Sequence, residues 1–165
     1  MSALVYTLLD SPIGELALAG DGRSLSRLHM LEGRHPLRID PAWRRDDGAF
    51  AHARAQLGEY FEGRRTSFDV PLALHGTPFQ RRVWEALLEI PYGETTSYGE
   101  LARLIGSPRA VRAVGLANGR NPIAVIVPCH RVIGANGTLT GYGGGLERKR
   151  LLLELESRLT APAMF

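Results

Sequence analysis

The chain's one cysteine, Cys129, stands in the stretch IVPCHRVIG, after Pro128 and before His130 and Arg131. This setting suits nucleophilic chemistry, for which the thiolate rather than the thiol is the reactive form. A histidine within reach can take the thiol proton, and a carboxylate can orient the histidine in turn. His130 is adjacent in sequence, and neighbours in an extended stretch point opposite ways. The proline before Cys129 and a turn after it would have to bring the two groups together. Arg131 adds positive potential. Glu154 and Glu156, near the end of the chain, are candidates for the third member, and helical spacing sets them about 200° apart, so only one can face inward. The competing reading makes Cys129 a small core hydrophobe, since free cysteines are among the most buried residues and AVIVPC fits such a place.

Other chemistry has less support. His29, His35, His52 and His75 are scattered, with no HExxH or paired metal spacing. A zinc site centred on Cys129 lacks further ligands at recognisable spacing. GYGGG has neither the GK[ST] of a P-loop nor the GxGxxG order, and reads as a loop bordering the cysteine pocket. No cofactor and no metal is therefore expected. Asn121 either ties down the turn around Cys129 through its amide or ends a helix.

Upstream, SYGELARLIGSPRAVRAVGLANG reads as helix, tight turn at Gly106–Pro108, helix, which is the outline of a helix-turn-helix. Leu101, Ala102 and Ile105 are expected to pack the first helix, and Val111, Val114 and Leu116 the second. A major-groove reader needs Asn, Gln, Arg or Lys at several exposed positions. Here Ala110, Ala113, Gly115 and Ala117 are small, and Arg109 and Arg112 are the charged exceptions. That pattern favours shape-based or minor-groove contact, while an ordinary tightly packed helical hairpin is the alternative. Tyr98 opens the first helix, either as a capping-region aromatic or as a phosphate contact. Charge agrees with a polyanionic partner. Residues 1–75 carry nine arginines against ten acidic residues, net −1, and residues 76–165 eleven basic against seven acidic, net +4. Five arginines and one glutamate lie between Thr96 and Arg131.

These residues need a scaffold, and the sequence outlines an α+β chain divided near His75. LVYTLLD, ELALAG and LSRLHM read as short strands of a small antiparallel sheet, parted by SPIG and GDGRS. HPLRIDPAWRRDDG reads as loop, AFAHARAQLGEYFEG as a helix ending at Gly63, and TSFDVPLAL as a further strand. Thr77, Pro78 and Gln80 supply an N-cap, a proline at N1 and a capping-box partner for a helix burying Phe79, Val83, Trp84, Leu87 and Leu88. Ser97 and Glu100 form a second capping box, and Ser107–Pro108 open the next helix. PIAVIV is strand-like, and LERKRLLLELESRL is a closing amphipathic helix. Of 165 residues 44% are hydrophobic, enough for a real core. No apolar run approaches membrane-spanning length, and the N-terminus lacks the pattern of a signal peptide. One cysteine permits no internal disulfide, which suits a reducing cytoplasm.

Taken together, IVPCHRVIG, SYGELA, RAVGLANGRNP and GYGGGLERKRLLLELE closely resemble the O6-alkylguanine-DNA alkyltransferases, most specifically from about Phe79 to Glu156. The resemblance implies a direct-reversal repair protein acting on double-stranded DNA with alkylated bases. Cys129 would accept the alkyl group from O6-alkylguanine, and also from O4-alkylthymine, once per molecule. His130 would take the thiol proton through a bound water, Glu156 would hold His130, and Asn121 would buttress the turn. Tyr98 would crowd the target phosphate and protonate the leaving guanine. Arg112 would enter the stack in place of the flipped base, with the helix Arg109–Asn118 in the minor groove. Val127, Pro128, Tyr142, Gly143 and Gly144 would line the alkylguanine pocket, where the small Gly143 would admit groups larger than methyl. A monomer in solution, with cooperative assembly on DNA, is expected. The cysteine zinc site that some members hold in the N-terminal domain is either absent here or rebuilt from other ligands, since Cys129 is the only cysteine. Two rivals remain on the residues alone, a helix-turn-helix damage sensor with a spectator cysteine and a cysteine hydrolase.

Overall fold

The computed structural model describes residues 4–31, 38–134 and 145–160. Strands β1 (Val5–Leu9), β2 (Leu16–Gly20) and β3 (Leu25–Met30) form an antiparallel meander, as the alternating segments predict. The β1–β2 turn is held by the Ser11 hydroxyl, which donates to the Gly14 carbonyl at 2.6 Å, with Gly14 at φ 106°. β2 is buried along its whole length, since it lies in the middle of the sheet. The expected loop contains a short strand, β4 (Arg44–Arg45), parallel to β1 at the far edge, giving the order β3-β2-β1-β4. Its parallel partner is β1, and the chain between the two runs through β2 and β3, which gives the long connection that parallel pairing needs. Helix α1 (Ala51–Phe61) buries Ala53, Gln56, Leu57 and Tyr60.

Residues 66–74 do not form the expected strand. They make a single bridge, Leu72 with Leu25, with Pro71 and Ala73 bonded to the Leu25 backbone at 2.9 Å. PIAVIV is not a strand either. It is buried from Ile123 to Val127 but turns, making one bridge from Ile123 to Leu28. Burial explains the apolar composition, and periodicity alone cannot separate a buried turn from a buried strand.

The second half is helical. α2 (Pro78–Leu87) starts on the full capping box of Thr77 and Gln80 and buries Val83, Trp84 and Leu87. Leu88 is 42% exposed, contrary to expectation: as the C-cap it keeps helical backbone, and the helical repeat turns it away from the face of Val83, Trp84 and Leu87. β5 (Thr96–Ser97) leads into α3 (Tyr98–Leu104). Ser97 caps the Glu100 N–H at 3.1 Å, but the Glu100 carboxylate turns to Arg103 at 2.8 Å instead of closing the box. α4 runs Val111–Gly119, starting later than the Ser107–Pro108 signal because residues 107–110 are spent on a turn. β6 (Val132–Ile133) pairs in parallel with β5, and α5 (Leu146–Thr160) closes the fold. One apolar core joins both halves, with Leu28 and Leu57 of the first packed in the same cluster as Leu101, Ile123 and Leu152 of the second. Among the described residues, no helix is long and apolar enough to cross a membrane.

Candidate active site

The site begins with Asn121. Its Nδ2 donates to the Val127 carbonyl at 2.7 Å and its Oδ1 accepts from the Ile123 N–H at 2.9 Å. The side chain thus replaces a backbone partner and bends the apolar run into a loop. At the bend Val125 has φ 70°, a left-handed conformation rarely adopted by a β-branched residue and costing on the order of 1–3 kcal/mol. Pro128 follows, and Cys129–Arg131 then make a single 3-10 turn in which Cys129, His130 and Arg131 are all buried. Asn121 is therefore the turn-tying residue, and its reading as a helix cap falls away, since α4 ends before it.

Cys129 is 6% exposed. Its N–H donates to the Val127 carbonyl at 2.8 Å, and its own carbonyl accepts from Asn118 Nδ2 at 3.5 Å. Burial pushes the thiol above its ordinary pKa, opposed by a hydrogen bond with the Asn121 side chain and by the positive charge of Lys149. The resting group is a thiol with the means of thiolate stabilisation already beside it.

His130 and Glu156 are fully buried, with Nε2 and Oε2 2.7 Å apart. Burial raises the Glu156 pKa, but hydrogen bonds from His130 and Arg131 more than reverse this and hold it at about 2. Burial lowers the His130 pKa despite Glu156. The pair is therefore carboxylate and neutral imidazole. The proton sits on Nε2, donated to Glu156, and leaves Nδ1 as an acceptor. Nδ1 is buried with no hydrogen-bond partner among the described residues. That lone pair is the relay's open proton site. Glu154 points outward and is exposed, as the helical spacing requires.

Arg131 does not serve the sulfur. Its Nε and Nη2 fork onto Glu156 at 2.8 and 3.0 Å, and Nη1 donates to the Ile90 carbonyl at 2.7 Å. The cation that acts on Cys129 is Lys149 of α5, fully buried, with Nζ donating to the Val132 carbonyl at 2.6 Å. Burial draws its pKa down to about 8, with Cys129 acting in the opposite sense. Sequence reasoning passed over Lys149, although it is the only lysine among 20 basic residues, a signal in plain view. It also passed over Asn118, whose position between Ala117 and Gly119 gave no hint of burial against the Cys129 backbone, and over Tyr60.

The helix pair stands beside this turn. The β5–β6 pairing joins the start of α3, and hence Tyr98, to the exit of the cysteine turn. A Cβ on Gly115 would lie 3.8 Å from the Tyr98 ring, so that small residue brings α3 and α4 close together. Trp84 Nε1 donates to the Ala117 carbonyl at 2.8 Å and fixes α4 from below. Arg109 and Ala110 precede the helix, and Arg109, Arg112 and Ala113 are exposed. The inward face is narrow, comprising Val114, Ala117 and Asn118. Val111 and Leu116, expected in the core, are instead 39% and 68% exposed, because they lie outside that face. Val127 and Pro128 are buried in the cysteine turn, and Tyr142, Gly143 and Gly144 lie outside the described residues.

A family model described as 6-O-methylguanine DNA methyltransferase, ribonuclease-like domain, matches residues 4–74, and one described as 6-O-methylguanine DNA methyltransferase, DNA binding domain, matches residues 78–158. A methylated-DNA–protein-cysteine methyltransferase of Mycobacterium tuberculosis is 64% identical over 159 residues, covering 96% of this chain and 94% of that protein. One from Methanosarcina acetivorans is 54% identical over 153 residues, covering 93% and 98%. The crystal structure of Mycobacterium tuberculosis OGT in complex with DNA matches with a TM-score of 0.89 at 62% identity, over 96% of each chain. With a buried cysteine in the turn that carries the His130–Glu156 pair, and relatives this similar along nearly the whole length, the chain belongs to the 6-O-methylguanine DNA methyltransferase family, the O6-alkylguanine-DNA alkyltransferases.

Proposed function

We propose that the protein repairs double-stranded DNA by moving the alkyl group of O6-alkylguanine, and of O4-alkylthymine, onto the Cys129 sulfur. What supports this reading is a thiol one residue before a neutral imidazole whose free nitrogen can take a proton and whose other nitrogen is held by an ionised carboxylate. His130 Nδ1 takes the thiol proton by way of a water. The sulfur then attacks the alkyl carbon, the S–C bond forms as the C–O6 bond breaks, and guanine leaves with a proton from Tyr98. The product is a thioether, which no group of the relay is suited to hydrolyse, so each molecule acts once. Reaction needs the base outside the stack, because a duplex hides the alkyl carbon. Arg112 fills the gap, α4 lies in the minor groove, and Ala110, Ala113 and Gly115 allow close approach without reading sequence, with Arg109 on phosphate. Tyr142, Gly143, Gly144, Val127 and Pro128 surround the flipped base.

Residues 76–165 carry DNA binding and the acceptor, and residues 1–75 support them. The protein works in a reducing cytoplasm, as a monomer in solution that assembles cooperatively on DNA. The deciding experiment mixes it with a duplex containing one O6-methylguanine, measures the intact mass, and maps the modified peptide. One methyl group on Cys129 and no more is the expected result. Tight binding with no mass gain would leave a damage sensor, and repeated product release would leave a hydrolase.

A further inference from the structure

The relay carboxylate is also held from the other half of the chain. Tyr60, near the end of α1, is fully buried, and its hydroxyl donates to Glu156 Oε2 at 2.5 Å. The same oxygen accepts from His130 and from Arg131 Nη2. The Tyr60 ring is clamped by Phe61, Phe68 and Tyr92, with centroids 5.3, 5.4 and 6.1 Å away. Phenylalanine would satisfy that aromatic packing with no buried hydroxyl to match, so the packing does not explain the hydroxyl. Burial, and then the charge of Glu156, push the Tyr60 pKa far up, so the group remains a donor.

We propose that Tyr60 is a positioning residue of alkyl transfer, through which the N-terminal unit fixes Glu156 and keeps His130 ready to accept a proton. Arg131 grips the carboxylate from one side, Tyr60 holds Oε2 from another, and His130 takes its orientation from that fixed oxygen. The second effect is electronic. Each donor on Oε2 draws charge from it and loosens its hold on the imidazole proton, which keeps the ring less basic. A histidine already protonated cannot take the thiol proton. The titratable and charged groups around His130 are Glu156 and Lys149 from α5, Tyr60 from α1, Cys129 and Arg131 from its own turn, and Tyr92 beneath Arg131. Glu156 is held at about 2, while Lys149 at about 8 and the raised Cys129 belong to the alkaline side, so His130 is the group left to the acid limb of the rate profile.

The inference rests on Cys129 as the acceptor, and the test separates the two. Single-turnover methyl transfer from an O6-methylguanine duplex is followed from mildly acid to mildly alkaline pH for wild type, Tyr60→Phe and Cys129→Ala, with duplex affinity measured for each. Tyr60→Phe is expected to slow transfer about tenfold at neutral pH, a part of the roughly 10²–10⁴ a positioned base supplies. Its acid limb should move to higher pH while duplex affinity is unchanged. Incorporating 3-fluorotyrosine at position 60 strengthens the donor and should move the limb the other way; this arm also serves if the phenylalanine variant folds poorly. A lower melting temperature with an unmoved limb and an unchanged rate per folded molecule would make Tyr60 purely structural and overturn the proposal. A wild type that gains no methyl on Cys129 would overturn the acceptor reading and this proposal with it.

Discussion

Lys149 is the residue whose presence costs the fold most plainly. Burying an ammonium is unfavourable unless something compensates, and its lowered pKa records that penalty. In the resting fold the ammonium is held by the Val132 carbonyl, and its charge comes into use at the Cys129 sulfur, which becomes negative during the reaction. Replacing Lys149 with Met should therefore slow transfer while leaving duplex affinity intact, as single-turnover rates would check. Stability should respond to pH in a definite sense. Wild-type Lys149 has a folded pKa of about 8, below its unfolded 10.5, so the unfolded chain binds more protons between these values. Wild-type stability from this residue rises through that window, and the balance between Lys149→Met and wild type shifts toward wild type as pH is raised. Denaturant titrations at neutral and alkaline pH would measure it. Cys129, His130, Asn121 and Glu156 were legible from residue type and spacing, because three of them sit within ten positions of one another and the fourth lies on a helix whose spacing left a choice of two. Tyr60 and Lys149 were not. Their meaning lies in what they touch after folding, and nothing near Tyr60 in sequence announces a partner 96 residues away.

At the scale of elements, composition identified the helices better than the strands. Thr77, Ser97 and the glycine and proline punctuation mark helix starts through local bonds that the sequence contains in full. The strand-like run PIAVIV failed because burial, not pairing, selected its apolar residues, and TSFDVPLAL, whose apolar residues are half-buried, pairs at Leu72 alone. The Asn121 side chain took over the bonding that a neighbouring strand would have supplied. On α4, reading Val111 and Leu116 as core gave too wide an inward face, whereas the true face is mostly small and leaves the arginine side open. That open side makes Arg112 the sharpest test of the helix. Arg112→Ala should weaken duplex binding almost equally across sequences and reduce the salt dependence by about one counterion, with far slower transfer than affinity alone explains. Binding isotherms at several salt concentrations and single-turnover rates would check both parts.

Over the whole molecule, the two halves act as one folded body. Leu28 of β3 exchanges backbone bonds with Pro122 and Ala124 at 2.9 Å, just ahead of the cysteine turn, and Arg148 Nε of α5 donates to the Ile13 carbonyl at 2.6 Å. Glu156 makes a further connection between the halves through Tyr60, and it links the reaction to overall stability. Its folded pKa of about 2 lies below the unfolded 4.5, so the stability it contributes is complete above the unfolded value and is lost as pH falls through that window. Glu156→Gln should be less stable than wild type at neutral pH, with the deficit shrinking toward about pH 2, as urea titrations would show. The division near His75 was legible from HGTP, but the joint between the halves was not, because its backbone bonds leave no signature in residue type and its side-chain bonds join residues far apart in sequence. The solitary buried lysine has one more consequence. Every other basic side chain is an arginine, so outward-facing positive charge is carried by guanidinium groups that hold their proton across the physiological range. Acylating reagents, chemical or enzymatic, find no lysine amine on the folded surface, and the grip on a polyanion cannot be tuned by lysine acetylation. Side-chain acylation of this protein would instead report that α5 has come away from the core.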